Sequence, residues 1–394
     1  MRMCLLTIVL LAGSLPAAEP VSVDAKFPGG NILVDKIDGD RIMLRQDLRD
    51  TAGDWFYWHF RVQHAQGRTL TFEFKSNVIG QRGPAVSDDA GKTWRWLGAA
   101  NVRGNTFHYT FPAAAGDVRF CVAYPYTEKN LHEFLARHKD SPHLEVESLC
   151  KTKKGRNVER IRLGRLDGQA RHKVALTCRH HACEMMASFA LEGIIDEVLS
   201  DSADGKWLRD NVEFFIVPIV DKDGVEDGDQ GKNRKPHDHN RDYQDKSIYA
   251  AIAAIREKLP GWGGDKLRIA LDMHCPGLRG GGHETIYLVG GPNDKIWQNC
   301  VRFGQALEKV QTGELVYRSK NNMPFGTGWN TGAAYKNKKA FARWAAELPG
   351  IEVATTIEIA YANADGKTVT DESARAFGHD LARAFRKFLA DEKR

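Results

Sequence analysis

A histidine and a glutamate stand three residues apart where an apolar run of the sequence ends. Residues 174–177 lead into Cys178-Arg-His-His-Ala-Cys-Glu184, and a helical pattern of apolar residues follows. His181 and Glu184 are therefore expected in the turn between a strand and a helix. An imidazole nitrogen and a carboxylate oxygen at this spacing can bind one Zn²⁺ ion. The pair alone is weak evidence, because a glutamate at a helix start also suits the helix dipole.

A second histidine follows another apolar run. His274 comes directly after residues 269–273, which read as a buried strand. Because ligands gather at the carboxyl ends of parallel strands, we expect His274 beside His181 and Glu184. Two imidazoles and one carboxylate form a catalytic rather than a structural zinc set, since a fourth position stays open for water. Zinc lowers the pKa of such a water towards ~7 in favourable sites.

Glu358 is a carboxylate within an apolar strand pattern. It lies in residues 354–360, where Ile357 and Ile359 are expected to point to the opposite face. A lone carboxylate in such a strand is costly unless it is paired or functional. We therefore predict that Glu358 acts as general base and later as proton donor. The alternative is a glutamate on an edge strand that faces solvent.

The most polar stretch of the sequence lies between the two histidine motifs. Residues 221–243 follow an apolar run and combine several cations with amide side chains. Cations beside a metal form a receptor for an anion, and an arginine can hold a carboxylate through two hydrogen bonds. His237 and His239 are expected to support the site or to lie at the surface, and not to bind the metal.

These motifs require a sheet that is covered by helices. From residue 158 onward, apolar strand patterns alternate with helical patterns. This alternation predicts an α/β fold with a mostly parallel, mixed sheet between helices. The predicted strands are 158–163, 174–178, 214–220, 269–273, 286–289 and 353–359, and the predicted helices are 185–199, 248–259, 297–310 and 373–392.

The first third of the sequence has a different pattern. Residues 19–127 contain short, alternating, aromatic-rich segments between turn signals. This pattern is typical of an antiparallel β-sandwich domain. Its tryptophans suit either a carbohydrate platform or ordinary core packing. We therefore predict a signal peptide at 1–18, an N-terminal β-sandwich domain at 19–127 and a catalytic domain at 128–394.

Length, charge and the first residues limit the class of protein. The 394 residues, of which 42% are hydrophobic, fit a globular chain of two domains. The net charge of +5 gives no indication of nucleic acid or an anionic membrane as partner. The segment from Arg2 to Ala18 reads as a secretory signal peptide, and no later run is long enough to span a membrane. We therefore expect an exported protein, periplasmic or extracellular.

Six cysteines follow the predicted signal peptide. An even count in an exported protein permits disulfides. Several of the cysteines lie in apolar runs, however, where a buried free thiol is ordinary. Cys183 and Cys275 each adjoin a predicted zinc ligand, so a bridge between them or a thiolate ligand stays open.

The ordered motifs of the chain resemble those of the M14 zinc carboxypeptidases. The matching residues are His181-Ala-Cys-Glu184, Asp223-Gly-Val225, Asn240-Arg241, Asp272-Met-His274 and Thr356-Ile-Glu358. The N-terminal part is similar to the additional domain of the cytosolic carboxypeptidase subfamily, on the residues Trp55-Phe-Tyr57 and Ala123-Tyr-Pro-Tyr-Thr127. The resemblance covers nearly the whole chain after residue 18.

The resemblance implies one Zn²⁺ per chain, held by His181, Glu184 and His274. It also implies that Glu358 is the general base and acid. The substrate would be the C-terminus of a peptide or protein.

The same resemblance implies how the substrate is held. Asn240 and Arg241 would bind its terminal carboxylate. Members of the family also place an arginine soon after the Asp-Gly motif to stabilise the oxyanion, but equal spacing puts Gly231 at that position. We assign Arg234 to this role and keep Lys232 as the rival.

The resemblance points to two further substrate-binding residues. A tyrosine from a mobile loop covers the bound terminus in the family, and Tyr335 is our choice for it. The floor of the pocket for the last side chain falls near Arg343. With Lys338 and Lys339 close by, this arginine would favour an acidic C-terminal residue. A basic helix face in solvent would give the same pattern.

The sequence therefore predicts an exported zinc metallocarboxypeptidase that hydrolyses the C-terminal peptide bond of its substrates. Two alternatives stay open. One is a zinc amidase or deacylase that acts on cell-wall peptides or acyl-amino acids. The other is a catalytically weak relative that only binds peptides.

Overall fold

A computed structural model of the chain describes residues 19–114, 116–335 and 338–391. The segment predicted as a signal peptide, residues 1–18, lies outside the described residues, so this assignment stays a prediction. Within the described part, no helix combines the length and the apolar character that are needed to cross a membrane.

Ten short strands form the N-terminal part of the chain. They are β1 (Ser22–Asp24), β2 (Leu33–Asp38), β3 (Arg41–Arg45), β4 (His59–Gln63), β5 (Thr69–Phe74), β6 (Ala85–Ser87), β7 (Arg95–Trp96), β8 (Val102–Arg103), β9 (Thr106–Thr110) and β10 (Val118–Cys121). They build two five-stranded sheets, in the orders β1-β4-β10-β6-β7 and β2-β3-β5-β9-β8.

The two sheets have the predicted antiparallel character, with one difference. Strands β3 and β5 pair in parallel, whereas the other neighbours are antiparallel. Alternate residues of β5 are buried, as expected for a strand with one face towards a core. The rings of Phe60, Phe72 and Phe120 pack there, with centroid distances of 5.2 to 5.6 Å. The tryptophans at 94 and 96 are half-buried against the same core, which favours packing over a carbohydrate platform.

Helices and strands alternate through the rest of the chain. In order they are α1 (Glu128–Arg137), β11 (Leu144–Lys151), β12 (Asn157–Gly164), β13 (His172–Cys178), α2 (Met185–Leu199), α3 (Ala203–Asn211), β14 (Val212–Val217), α4 (Lys222–Asp227), α5 (Ala250–Gly263), β15 (Leu267–His274), β16 (Tyr287–Val289), α6 (Asp294–Val310), α7 (Phe341–Ala345), β17 (Val353–Glu358), β18 (Asn363–Ala364), β19 (Lys367–Thr368) and α8 (Asp371–Ala390). Short 3₁₀ turns lie at Ala99–Asn101, His239–Arg241, Gly264–Lys266, Gly281–Glu284, Ser319–Asn321 and Ala333–Tyr335.

A seven-stranded mixed sheet is the centre of this part, in the order β11-β12-β14-β13-β15-β17-β16. The neighbours β14, β13, β15 and β17 are parallel; β12 and β16 pair antiparallel with the two ends of this group, and β11 pairs antiparallel with β12. Phe214 contacts Phe385 of α8, whereas the next residue, Phe215, contacts Trp262 of α5. Because consecutive residues of a strand point to opposite faces, helices cover both faces of the sheet, as predicted.

Helices α2 and α8 cross in close contact. A Cβ atom at Gly193 would lie 1.9 Å from the carbonyl oxygen of Arg375, and one at Gly378 would lie 2.0 Å from that of Ala190. Glycine is therefore required at both positions. The contact fixes α2 against the sheet, and the residue that precedes α2 is Glu184.

Candidate active site

The three predicted zinc ligands lie together at the carboxyl edge of the sheet. His181 and Glu184 stand in the turn between β13 and α2, and His274 ends the neighbouring strand β15. Nδ1 of His181 is 2.9 Å from one carboxylate oxygen of Glu184, and Nδ1 of His274 is 2.8 Å from the other. All three residues are buried, and one ligand atom from each lies within 4.8 Å of the others. These three side chains can therefore bind a single metal ion.

Carboxylates stand behind both imidazole rings. Oδ2 of Asp272 lies 2.7 Å from Nε2 of His274, and Oδ1 of Asp238 lies 3.6 Å from Nε2 of His181. The hydrogen bond to Asp272 keeps the ring proton of His274 on Nε2 and leaves its Nδ1 free to bind a metal, whereas Asp238 lies near Nε2 of His181 as a charge without a hydrogen bond. This arrangement, on two imidazoles and one carboxylate, fits a zinc site with an open coordination position.

The electrostatics keep the Glu184 carboxylate charged. Burial opposes the shift, but the charges of His181, His274 and Lys232 outweigh it and lower the pKa of Glu184 well below its ordinary value. For His274, burial acts to lower the pKa. The charges of Asp272 and Glu184 outweigh burial and raise the pKa of His274 well above its ordinary value. An anionic ligand between two imidazoles is what a divalent cation requires.

His180 belongs to a second buried group, with Asp272 and His274. Its Nδ1 is 2.7 Å from Asp272 and its Nε2 is 2.8 Å from the hydroxyl of Tyr243. Both ring nitrogens are thus engaged with the protein. His180 therefore holds Asp272 in place behind His274.

Glu358 ends β17 and pairs with His274 in the register of the sheet. Its side chain lines the same cavity of about 430 Å³ as the three ligands. The carboxylate is buried, and its Oε2 has no hydrogen-bond partner among the described residues. Burial raises the pKa of Glu358 above its ordinary value, although the charges of His274 and Lys232 oppose this shift. Such an environment suits a carboxyl group that accepts and returns a proton.

The cation beside the ligands is Lys232 and not Arg234. The ammonium of Lys232 lies in the cavity, 2.8 Å from Oε1 of Glu184. Arg234 does not line the cavity; its guanidinium is bound by Asp229 at 2.7 Å and by Asp221 at 2.5 Å. The structure therefore does not bring Arg234 to the site, and our assignment of the oxyanion role to it is replaced.

The conformation of Gly231 explains why the cation of the site stands at position 232 and not at position 231, where spacing along the sequence would put it. Its φ is +83°, and a Cβ atom there would lie 2.4 Å from the nitrogen of Ala182 and 2.8 Å from Cα of His181. The backbone of the loop thus packs directly on the turn that carries His181, and no side chain fits at this position. The next residue, Lys232, supplies the cation instead.

Asn240 and Arg241 lie in a 3₁₀ turn at the cavity wall. The amide oxygen of Asn240 is held by the protein, since Oδ1 accepts a 2.9 Å hydrogen bond from the backbone of Phe341. Its Nδ2 lies 3.1 Å from Nε2 of His274, whose proton faces Asp272. Arg241 is half-buried, with Cζ 4.5 Å from the ring centre of Tyr335. Within the described ranges its guanidinium donates to the Asn240 carbonyl and has no carboxylate partner. Its charge is therefore available to an anion in the cavity.

A second cavity of about 400 Å³ adjoins the first, and both are lined by Tyr335 and Thr356. Arg343 lines the second cavity, with Cζ 3.4 Å from the ring centre of Tyr335. Nη2 of this arginine is buried and has no hydrogen-bond partner in the part of the chain that the structure describes. Lys339 is instead bound to Glu347 at 2.7 Å. Among the described residues, Arg343 and Lys338 therefore bring positive charge to this cavity without an ion pair to a carboxylate.

The other histidines and the cysteines do not join the ligand group. Nε2 of His237 is 2.8 Å from Asp242, and the ring of His239 stacks on Tyr249 at 3.6 Å. The described cysteines carry free thiols, so the structure contains no bridge between Cys183 and Cys275; they are Cys121, Cys150, Cys178, Cys183, Cys275 and Cys300.

Some residues of the site received no role from the sequence. Asp272 and Asp238 could have been found, because each stands two positions before an assigned residue. His180 adjoins His181, but its role depends on Asp272 and Tyr243, which come from distant segments. Trp55 lines the cavity from the N-terminal part of the chain, and no local pattern places it there.

Comparisons with known proteins agree with this geometry. Residues 131–258 match the family model described as zinc carboxypeptidase, Peptidase M14. Cytosolic carboxypeptidase 3 of Mus musculus is 31% identical over 259 residues, which are 56% of this chain and 25% of that protein. An uncharacterized protein of Zymomonas mobilis is 26% identical over 295 residues, or 71% of this chain and 74% of that one. The chain spans a third or less of the length of the cytosolic carboxypeptidases that it matches.

A solved structure supports the fold. The metallo-carboxypeptidase from Burkholderia cenocepacia superposes with a TM-score of 0.76 at 20% identity, over 94% of this chain and 99% of that one. The likeness therefore includes the N-terminal sheets as well as the central mixed sheet. Residues 131–258 therefore carry a Peptidase M14 domain, and the matches to these relatives support a metallocarboxypeptidase hydrolase of the M14 type.

Proposed function

We propose that the protein is an exported, zinc-dependent carboxypeptidase that removes single residues from the C-termini of peptides or proteins. The observation that carries this proposal is the content of one cavity. The group His181, Glu184 and His274 shares it with the buried carboxyl of Glu358 and with Arg241, whose charge has no carboxylate partner in the described residues. A peptide C-terminus presents a scissile amide and a carboxylate one residue apart, and one cavity that holds both kinds of partner can receive them together.

The three ligands would hold zinc, whose Lewis acidity makes water a nucleophile at neutral pH and polarises a carbonyl group. Glu358 takes a proton from the attacking water while the new C–O bond forms. When the C–N bond breaks, the same carboxyl group returns that proton to the departing amine nitrogen. The raised pKa of Glu358 favours this return. A shortened peptide and a free amino acid result, and Glu358 recovers its charge.

Lys232 is the cation that we assign to the oxyanion. Its ammonium is buried beside Glu184, and the coulombic field of Glu358 also acts on it. A fixed cation at this place stabilises the negative charge that develops on the carbonyl oxygen during attack. A lysine is a compact point charge, so it can fill this role without the two-pronged geometry of an arginine.

The second cavity supports a preference for acidic C-terminal residues. Arg343 lines it with a buried, unpartnered Nη2, and Lys338 adds a further positive charge to the lining. A glutamate or aspartate side chain reaching past Tyr335 would pair with Arg343 and satisfy this nitrogen. An apolar side chain would leave the buried Nη2 without an acceptor, although the guanidinium still stacks on Tyr335.

Arg241→Ala tests the proposed recognition of the terminal carboxylate. We expect KM for peptides with a free C-terminus to rise about 10- to 100-fold, the worth of a charge-assisted hydrogen bond, while kcat changes little. The measurement is steady-state kinetics on one peptide, with Arg256→Ala as a control that removes an arginine outside the cavity. An unchanged KM in Arg241→Ala would show that the carboxylate is not bound there.

A further inference from the structure

The loop that carries Lys232 is held by the N-terminal part of the chain. We call residues 229–235 the Lys232 loop. The Asp50 carboxylate accepts hydrogen bonds from the amides of Gln230, at 3.1 Å, and Gly231, at 2.9 Å. The Thr51 hydroxyl donates to the carbonyl oxygen of Lys232 itself. The segment that follows β3 thus binds this loop through both its backbone donors and its backbone acceptors.

The same loop is bound on its other side by the turn that carries the zinc ligands. The amide of Cys183 donates to the Gln230 carbonyl at 3.1 Å, and the Gln230 side-chain amide lies 3.0 Å from Sγ of Cys183. Gly231 packs without a side chain on His181. The Lys232 loop is therefore clamped between Asp50 and Thr51 on one side and residues 181–183 on the other.

This clamp determines where the ammonium of Lys232 lies. Nζ donates to the carbonyl oxygens of Cys275, at 2.7 Å, and Pro276, at 2.9 Å, and faces Glu184. A lysine side chain has four flexible carbon bonds, so an ammonium is held in one place only if its backbone and its acceptors are fixed. The acceptors are fixed by the end of β15. The backbone is fixed by Asp50, whose side chain is only 5% exposed.

We infer that Asp50, from the N-terminal β-sheet region, is a positioning residue that completes the active site by holding the Lys232 loop. The inference rests on the proposed function, in which Lys232 stabilises the oxyanion. Stabilisation of a transition state depends on donors placed to within a fraction of an ångström, so a loosened loop is expected to lower kcat and to leave KM nearly unchanged. Asp50 does not line the cavity; it contacts the Lys232 loop through the amides of Gln230 and Gly231 and faces the guanidinium of Arg234 at 3.6 Å.

Asp50→Asn is the first test, because the amide keeps the shape of the side chain but can accept only one of the two backbone hydrogen bonds. We expect kcat to fall about 10- to 100-fold, with KM within about 2-fold. The matched control is Asp54→Asn, four residues along the same segment, whose side chain accepts from Gln46 and does not contact the Lys232 loop. The control should retain the kcat of the parent.

A double-mutant cycle separates positioning from a general loss of stability. In the Lys232→Ala background, Asp50→Asn should lower kcat no further, because the group that it positions is already absent. Equal losses in both backgrounds would overturn the inference. If Asp50→Asn does not fold, Thr51→Val removes the contact to the Lys232 carbonyl and is expected to lower kcat in the same direction. An unchanged kcat in Thr51→Val would then overturn the inference that this segment positions Lys232.

Hydrogen exchange of the metal-free protein gives a readout that does not need turnover. The amides of residues 230 and 231 should exchange faster in Asp50→Asn than in the parent and in Asp54→Asn. Unchanged exchange would overturn the inference even if kcat falls. If the parent hydrolyses no peptide while Asp50→Asn still accelerates exchange, the proposed function fails and the structural part of the inference stands.

Discussion

Replacing Glu358 by glutamine is expected to lower kcat about 100- to 10,000-fold, the usual worth of general acid–base catalysis, while zinc stays bound. The glutamine keeps the shape of the side chain but cannot accept a proton from water. The Glu358 carboxylate does not belong to the proposed metal-binding group, which consists of His181, Glu184 and His274. The measurement is kcat on a zinc-loaded variant together with its metal content.

Glu352→Gln is the matched control for this prediction. Glu352 precedes the same strand β17, lies 3.6 Å from Arg268 and does not line the cavity. It should retain the kcat of the parent. If Glu358→Gln is as active as the parent, another group moves the proton. If both the parent and the variant bind peptides without cutting them, the chain is a binding relative of the family.

His181→Ala is expected to abolish zinc binding and, with it, turnover. Mutation of groups that merely hold a ligand in place costs about 10- to 100-fold in metal affinity, and removal of a ligand should cost more. The variant also leaves the Glu184 carboxylate with one imidazole partner fewer. Metal content after dialysis and a competition titration with a chelator measure this effect.

Thermal unfolding gives an independent readout of the same variant. A ligand that binds the folded state raises its stability in proportion to the logarithm of its concentration over Kd. Added zinc should therefore raise the Tm of the parent and of His108→Ala, whose ring pairs with Thr71 on the N-terminal sheets. It should not raise the Tm of His181→Ala. An equal rise in all three proteins would mean that zinc binds elsewhere.

The sequence was sufficient to predict the central sheet and the grouping of His181, Glu184 and His274, because these depend on local patterns. Buried parallel strands are continuous apolar runs; His274 ends such a run, and His181 and Glu184 lie in the turn that follows another. Helix α2 begins and ends where its pattern predicts. The predicted strand 214–220 ends earlier, at Val217, because the following proline cannot donate to the sheet. Strand β11 was not predicted, since it is an edge strand with mostly exposed, polar residues.

The oxyanion residue could not be predicted because it depends on contacts between distant segments. Spacing along the chain pointed to Gly231 and left a choice between its two nearest cations. The structure shows that Gly231 is compressed against His181 and that acidic residues from several segments surround Arg234. The contribution of Asp50 and Trp55 likewise depends on how the N-terminal sheets lie against the site, which no local pattern encodes.

The most direct test of the central claim is mass spectrometry of a peptide library incubated with the zinc-loaded protein. Half of the peptides carry a free C-terminal carboxylate and half carry an amide. We expect loss of single residues from the free termini alone, fastest where the last residue is glutamate or aspartate, because Arg241 and Arg343 each require an anion. Loss that is independent of the terminal carboxylate, or cleavage within the peptides, would contradict a carboxypeptidase and favour an amidase.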